Sequence, residues 1–151
     1  MKQVVREIAL PIFSIEMEFD ECRFDSIEEI VSYIEAQVRK HRAVRYIATF
    51  DHLQHTTDLP EGIIAEDIEA AYNIVFCFGF SLQDSEQLAT RPRSIGVCQY
   101  NGHISVTFVE APMPVANALM EQWANSLLLD EEQQLHPPHR SDQKSDALPT
   151  P

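Results

Sequence analysis

Asn101-Gly102 separates two runs of alternating side chains, residues 94–100 and 103–109, and it restricts the fold more tightly than any other dipeptide in the chain. A two-residue hairpin loop of type I′ needs positive φ at both central positions, which Asn and Gly supply most readily. The short loop also sets the register. Tyr100 faces His103, Gln99 faces Ile104, Cys98 faces Ser105, Val97 faces Val106, and Ile95 faces Phe108. Ile95, Val97, Ile104, Val106 and Phe108 then share one face of the hairpin. Gly96, Cys98, Tyr100, His103, Ser105 and Thr107 share the other. Register and polarity agree, as they must where one face of a sheet is buried.

The rest of the chain supplies further elements around this hairpin. Phe13, Ile15, Met17 and Phe19 alternate with Ser14, Glu16 and Glu18, the period of a half-buried strand. Ser26 and Glu29 have the spacing of a capping box. Ile27, Ile30, Val31, Ile34 and Val38 follow as one helical stripe. Arg39, Lys40, His41 and Arg42 crowd the last turn, where positive charge suits the helix dipole. Residues 44–50 read as a second strand, 52–64 as a polar loop containing Pro60 and Gly62, and 65–72 as two helical turns. Residues 73–78 read as a third strand. Their unbroken apolar run predicts burial on both faces and a central position. A helical turn over 85–90 precedes the hairpin. Pro114 opens a last helix with Ala116, Leu119, Met120, Trp123 and Leu127 as its stripe.

The order is β-α-β-(α)-β-(α)-β-β-α. It predicts an α+β fold built on a mixed sheet of about five strands, with helices packed mainly on one face. The first two strands are expected to run parallel through a right-handed crossover. Residues 1–129 form one domain. Residues 130–151, rich in Gln, His, Pro, Ser and charge, are expected to form a disordered acidic tail.

The 151 residues carry a formal charge of −13. Residues 1–129 hold 19 acidic and 9 basic side chains, so the acidity belongs to the domain as well as the tail. Such a surface repels phosphate backbones and argues against a nucleic-acid partner. No segment has the roughly 20 apolar residues of a membrane span, and the charged start lacks a signal-peptide core. A cytoplasmic location is expected. Cys22, Cys77 and Cys98 are too few and too scattered for a disulfide framework or a zinc knuckle. Cys22 is expected in an exposed turn.

Candidate chemistry gathers at four strand ends: Phe50-Asp51-His52, Cys77-Phe78-Gly79, Arg91-Pro92-Arg93-Ser94-Ile95-Gly96 and Glu110-Ala111-Pro112-Met113-Pro114. Open α/β sheets bind ligands at strand ends. Asp51, His52, Cys77, Arg91, Arg93 and Glu110 are therefore the candidate ligand-binding residues, expected to meet in one pocket. His52 and His55, three apart, with Asp51, are a partial metal set. The plainer alternative is a hydrogen-bonding cap at His52 and a solvated His55. Arg91 and Arg93 suit a bound carboxylate, sulfate or phosphate. Their plainer alternative is a salt bridge to Glu110 or Asp51. Cys77, in a strand, is an inert small hydrophobe unless a nearby cation such as Arg91 or Arg93 lowers its pKa. Glycine-rich phosphate loops, Gly-x-Ser-x-Gly and His-Glu-x-x-His are absent from the sequence.

The islands Phe50-Asp51-His52, His55-Thr56, Phe76-Cys77-Phe78-Gly79, Arg91-Pro92-Arg93-Ser94-Ile95-Gly96 and Glu110-Ala111-Pro112 resemble those of an uncharacterised bacterial family, domain of unknown function 6858, over about residues 8–128. The layout, with Asp51-His52 and Phe78-Gly79, is also similar to the domain-of-unknown-function-302 superfamily. The chain departs from the latter after Gly79, where Phe80-Ser81 replaces the Asn-Pro typical of that group. Both resemblances imply a fold and neither implies an activity. Three functions stay open. One is a non-catalytic binding or accessory module for a small anionic or thiol-containing ligand, with no cofactor. Another is a metal- or cysteine-dependent enzyme using the same strand-end pocket. The third is a structural homo-oligomer, in the simplest case a homodimer, that needs no pocket.

Overall fold

The computed structural model describes residues 3–79 and 81–130. All but the first residue of the expected tail lies outside the described residues. The fold is α+β, with the element order β1 (Ile12–Glu18), α1 (Ile27–Lys40), β2 (Val44–Asp51), α2 (His52–Asp58), β3 (Ile68–Phe78), β4 (Arg93–Tyr100), β5 (His103–Val109) and α3 (Pro114–Asn125). A short 3-10 helix, Ser85–Thr90, joins β3 to β4. The five strands form one sheet in the order β1-β5-β4-β3-β2, and every neighbouring pair is antiparallel.

The expected mixed sheet is thus corrected. β1 and β2 run in the same direction, but they are the two edges, and α1 carries the chain across the sheet between them. The expected parallel pairing assumed adjacency. Instead β1 pairs with β5, setting Phe13 opposite Phe108, Ile15 opposite Val106 and Met17 opposite Ile104. Every one of these side chains packs into the core.

The hairpin register Tyr100–His103, Gln99–Ile104, Cys98–Ser105 and Val97–Val106 is the one expected. The turn is not type I′, because only Gly102, at φ 87°, takes a positive φ. α1 begins as the capping box predicts. The Glu29 N–H donates to Ser26 Oγ at 3.3 Å. The Glu29 carboxylate reaches back one residue further than expected, accepting from the Asp25 N–H at 2.9 Å. Its apolar stripe, Ile27, Ile30, Val31, Ile34 and Val38, is buried throughout.

Two further expectations change. Residues 52–58 are helical rather than loop, and residues 68–72 are strand rather than helix. In the second case pairing overrides propensity. Tyr72 lies opposite Val97 on one side and Asp51 on the other, so the segment joins two ladders. β3 is interior, but only one of its faces is closed. Ile74, Phe76 and Phe78 are buried, whereas Val75 and Cys77 are half-exposed.

The core therefore lies between one sheet face and the helices α1 and α3. Trp123 stacks on Phe78 with ring centroids 6.0 Å apart and meets Phe76 edge-on at 5.8 Å. Beyond α3 the chain returns to the turn after β1. The Arg23 N–H donates to the Leu127 carbonyl at 2.8 Å, and the Leu129 N–H donates to the Glu21 carbonyl at 2.8 Å. This contact buries Cys22, correcting the expected exposed turn.

Ile34 is fully buried and Ile63 is 92% exposed. In urea denaturation Ile34→Ala is expected to cost about 2–5 kcal/mol. Ile63→Ala is expected to stay within about 0.5 kcal/mol of the parent.

Candidate functional site

The candidate residues separate into two groups at opposite ends of the sheet. Asp51 closes β2 and pairs with Tyr72, near the start of β3. Arg93 opens β4 and pairs with Phe76, near the end of β3. The expected meeting of Asp51 and His52 with Arg93 and Glu110 does not occur. The reason is strand direction. In an antiparallel sheet the C-terminal ends of successive strands alternate between the two ends of the sheet, so β2 and β3 finish far apart.

At the first end, Asp51 is the N-cap of α2, accepting from the Gln54 N–H at 2.8 Å. One helical turn puts His52 and His55 on the same side. Both rings lie against Phe50, with centroids 4.6 and 5.2 Å from it. Among the described residues no group of three His, Cys, Asp or Glu side chains is placed to hold a metal. The partial metal set Asp51, His52, His55 is therefore corrected to a capped helix start with two imidazoles packed on an aromatic ring. The surroundings are acidic. Burial raises the Tyr72 phenol, and Asp51 and Glu28 raise it further.

The second end is basic. Arg39 and Lys40 end α1, Arg42 lies in the following turn, Arg45 is the second residue of β2, Arg91 precedes β4 and Arg93 opens it. These are six of the nine basic residues in 1–129. Glu110, Asp84 and Glu86 share this end, and Glu86 pairs with Arg6 at 2.9 Å.

Two cavities open here. One, of about 440 Å³, is lined by Arg39, Arg42, Arg45, Tyr46 and Gly79 among others. The Arg39 guanidinium lies 3.7 Å above the Tyr46 ring. The second cavity, of about 260 Å³, is lined by Phe78, Gln87, Thr90, Arg91, Arg93, Ala111, Pro112, Met113 and Ala116. Its walls thus come from the end of β3, the 3-10 helix, the entry to β4 and the first turn of α3.

Arg93 alternates in phase with Ile95 and Val97, so its side chain points to the helix-covered face and is only 9% exposed. Its guanidinium donates to the Thr90 carbonyl at 3.2 Å and to the Val109 carbonyl. Two carbonyls engage two of its five N–H groups. Burial lowers its pKa, though an arginine remains charged at neutral pH. Among the described residues no carboxylate lies within 4.0 Å of Arg91 or Arg93. The expected neutralisation by Glu110 or Asp51 is therefore corrected. Asp51 is at the other end, and β5 turns Glu110 toward the N-terminal segment, where its N–H donates to the Pro11 carbonyl at 2.8 Å. Arg91 donates to the Ser81 carbonyl at 2.9 Å. Gly79, at φ 152°, leaves room for it, since a Cβ there would lie 3.1 Å from Arg91 Nη1.

The same wall carries the start of α3. Its N-cap, Met113, makes no side-chain cap hydrogen bond, and Pro114 is at the first helical position. Helix starts carry partial positive charge. The Asn117 side chain instead accepts from the Ala111 N–H at 3.0 Å, which holds the Ala111-Pro112-Met113 segment beside the cavity.

Cys77 lies outside this arrangement. It sits between Phe76 and Phe78 and so faces away from Arg93, opposite Arg45. Its thiol lies 3.4 Å from the Phe78 carbonyl. Activation by Arg91 or Arg93 has no geometric basis. Burial raises the Cys98 thiol, against an opposing hydrogen bond with Tyr100. Gln87, Thr90, Met113 and Ala116 were not foreseen as wall residues, although Met113 belongs to the fourth sequence island. Arg39, Arg42 and Arg45 carried a signal, a basic run in an acidic chain, that reads equally as a solvated helix end.

The family model described as "Family of unknown function (DUF6858)" matches residues 1–129. The chain belongs to that family. Comparison with curated proteins and with solved structures gives no match. Among the described residues no helix is long and apolar enough to cross a membrane.

Asp51→Ala is expected to cost about 1 kcal/mol through loss of the cap. Added zinc is expected to leave the melting temperature of the parent and the variant unchanged, measured by differential scanning fluorimetry.

Proposed function

We propose that this domain is a non-catalytic binding module for a small monoanion with an apolar body, held in the cavity between Phe78, Arg93 and the first turn of α3. The observation that carries the reading is Arg93: a charge nine-tenths buried, on a cavity wall, with backbone carbonyls and, among the described residues, no carboxylate beside it. A buried ion is costly unless it is compensated. Carbonyl dipoles compensate part of that cost, and a bound carboxylate supplies the missing opposite charge.

The walls match such a ligand. Phe78, Ala111, Pro112, Met113 and Ala116 present apolar surface, while Arg91, Arg93 and the uncapped start of α3 present positive potential. A volume of about 260 Å³ suits a molecule of metabolite size rather than a polymer. Binding is favoured over catalysis because the described wall residues bring arginines, an amide and a hydroxyl to the cavity, and neither thiol, imidazole nor carboxylate. The thiol-ligand version loses its support with Cys77 on the other face.

Benzoate and hexanoate, compared with chloride at matched ionic strength, test the reading. Both are expected to raise the melting temperature in a concentration-dependent way through linkage. Arg93→Lys, which keeps the charge but loses the fork, is expected to shrink the shift, and Arg91→Gln to do the same. Met113→Trp, which fills the cavity, is expected to abolish it. No stabilisation of the parent, or equal stabilisation of all variants, rejects the site.

A further inference from the structure

We propose that the sheet face turned away from α1 and α3 is the interface of a homodimer, in which the acidic corner of each sheet, Glu16 and Glu18, lies over the basic corner of its partner, Arg45. This proposal is independent of the anion cavity, which opens on the other side of the sheet.

The face is defined by strand alternation. Phe13, Ile15 and Met17 pack into the core, so Ile12, Ser14, Glu16 and Glu18 point the other way. By the same alternation the face holds Thr107 and Val109 from β5, Ser94, Gly96 and Cys98 from β4, Asn73 and Val75 from β3, and Arg45 and Phe50 from β2. Both main helices lie on the opposite side, and on this one α2 covers a single corner, where His52 and His55 pack on Phe50. Its centre is small: Gly96 lies opposite Thr107 and Asn73. One corner carries an apolar pair left in water, with Ile12 71% and Val109 41% exposed. The case for a partner therefore rests on the area of the face and on the charges at its corners.

A second copy fits in area and in charge. Strands about 4.8 Å apart, rising about 3.3 Å per residue, give five strands a face of about 550 Å². Two such faces bury about 1,100 Å², which clears the roughly 1,000 Å² of a specific interface. The charges select the geometry. Glu18 ends one edge strand and Arg45 begins the other, so they occupy diagonally opposite corners. A two-fold axis along the other diagonal sets each acidic corner over a basic one, and the strands of the two sheets then cross near right angles, a recognised packing class. An axis along the strands would instead lay the Glu16 and Glu18 corner over the Phe50 corner, leaving Arg45 without an acidic partner. Lateral pairing at β2 is opposed by the bulge between Tyr46 and Ala48, because bulges spoil an edge for strand addition.

Sedimentation equilibrium and native mass spectrometry of the full chain at micromolar concentration test this. The parent is expected at twice the chain mass. Thr107→Arg, which places a long cation at the centre of the face, is expected to be monomeric with an unchanged far-ultraviolet circular dichroism spectrum. Glu18→Arg and Arg45→Glu are each expected to weaken the dimer about tenfold, and the double variant to restore it, since the exchanged charges meet again. A monomeric parent overturns the proposal and leaves the face to another occupant. A dimer that survives Thr107→Arg, or a double variant no tighter than the single ones, overturns this interface.

Discussion

Trp123 holds α3 against the sheet, and much of the site geometry depends on that contact. Its indole stacks on Phe78 and meets Phe76 edge-on, two aromatic contacts from consecutive inward positions of one strand. Aromatic pairs contribute about 0.5–1.5 kcal/mol beyond their area, but the larger consequence is positional. Phe78 also forms a wall of the smaller cavity, and Ala116, two turns before Trp123 on the same helix, forms another. The residue that seals the core therefore also brings the start of α3 to the entry of β4. Arg93 is buried there because the core is apolar on every other side, and the carbonyls of Thr90 and Val109 are the polar atoms within its reach.

The distribution of charge follows from connectivity. α1 starts at the end of the sheet where β1 finishes and ends where β2 begins. Acidic side chains suit its first turn and basic ones its last, and the chain carries Glu28 and Glu29 at one and Arg39 and Lys40 at the other. The flanking residues extend the same polarity, with Arg23 the exception: Asp20, Glu21 and Asp25 before α1, and Arg42 and Arg45 after it. A chain of net charge −13 thus presents a basic end. Net charge alone would exclude anionic ligands, whereas the local field at Arg39, Arg42, Arg91 and Arg93 attracts them.

Legibility of the fold in the sequence varied with the range of the interaction that decides each element. The β4–β5 register follows from a two-residue loop, and α1 follows from a local cap and a five-residue stripe, so both were readable. α2 has no buried residue and hence no stripe, leaving the Asp51 cap as its one local sign. Residues 68–72 carry Glu and Ala, which favour helix locally, and become strand because β4 pairs along them and β2 joins on the other side at Tyr72. The order β1-β5-β4-β3-β2 is fixed by long-range burial of Phe13, Ile15 and Met17 against β5, which no local pattern announces. The site followed the same rule. The Arg91 to Arg93 island and the Ala111 to Met113 island were readable and do share a cavity. Their separation from Asp51 and His52 was not readable, because it depends on whether neighbouring strands run parallel or antiparallel.

That dependence also explains why one face of the sheet is covered and the other is not. Strand-end reasoning from parallel α/β folds assumes helices on both faces and all C-terminal ends together. Here hairpin-like connections replace most crossovers, so few helices are available, and α1 and α3 are enough to cover one face only. The uncovered face can then stay small and partly polar, as Ser94, Gly96, Ser105 and Thr107 are, without destabilising the core. One exposed apolar pair is harder to account for in a lone domain. Ile12 and Val109 face each other across the β1–β5 ladder with nothing described above them, and a polar pair at the same register would keep the ladder intact. The proposed dimer would cover this pair, and it would use the bare sheet while the proposed anion cavity uses the side under the helices.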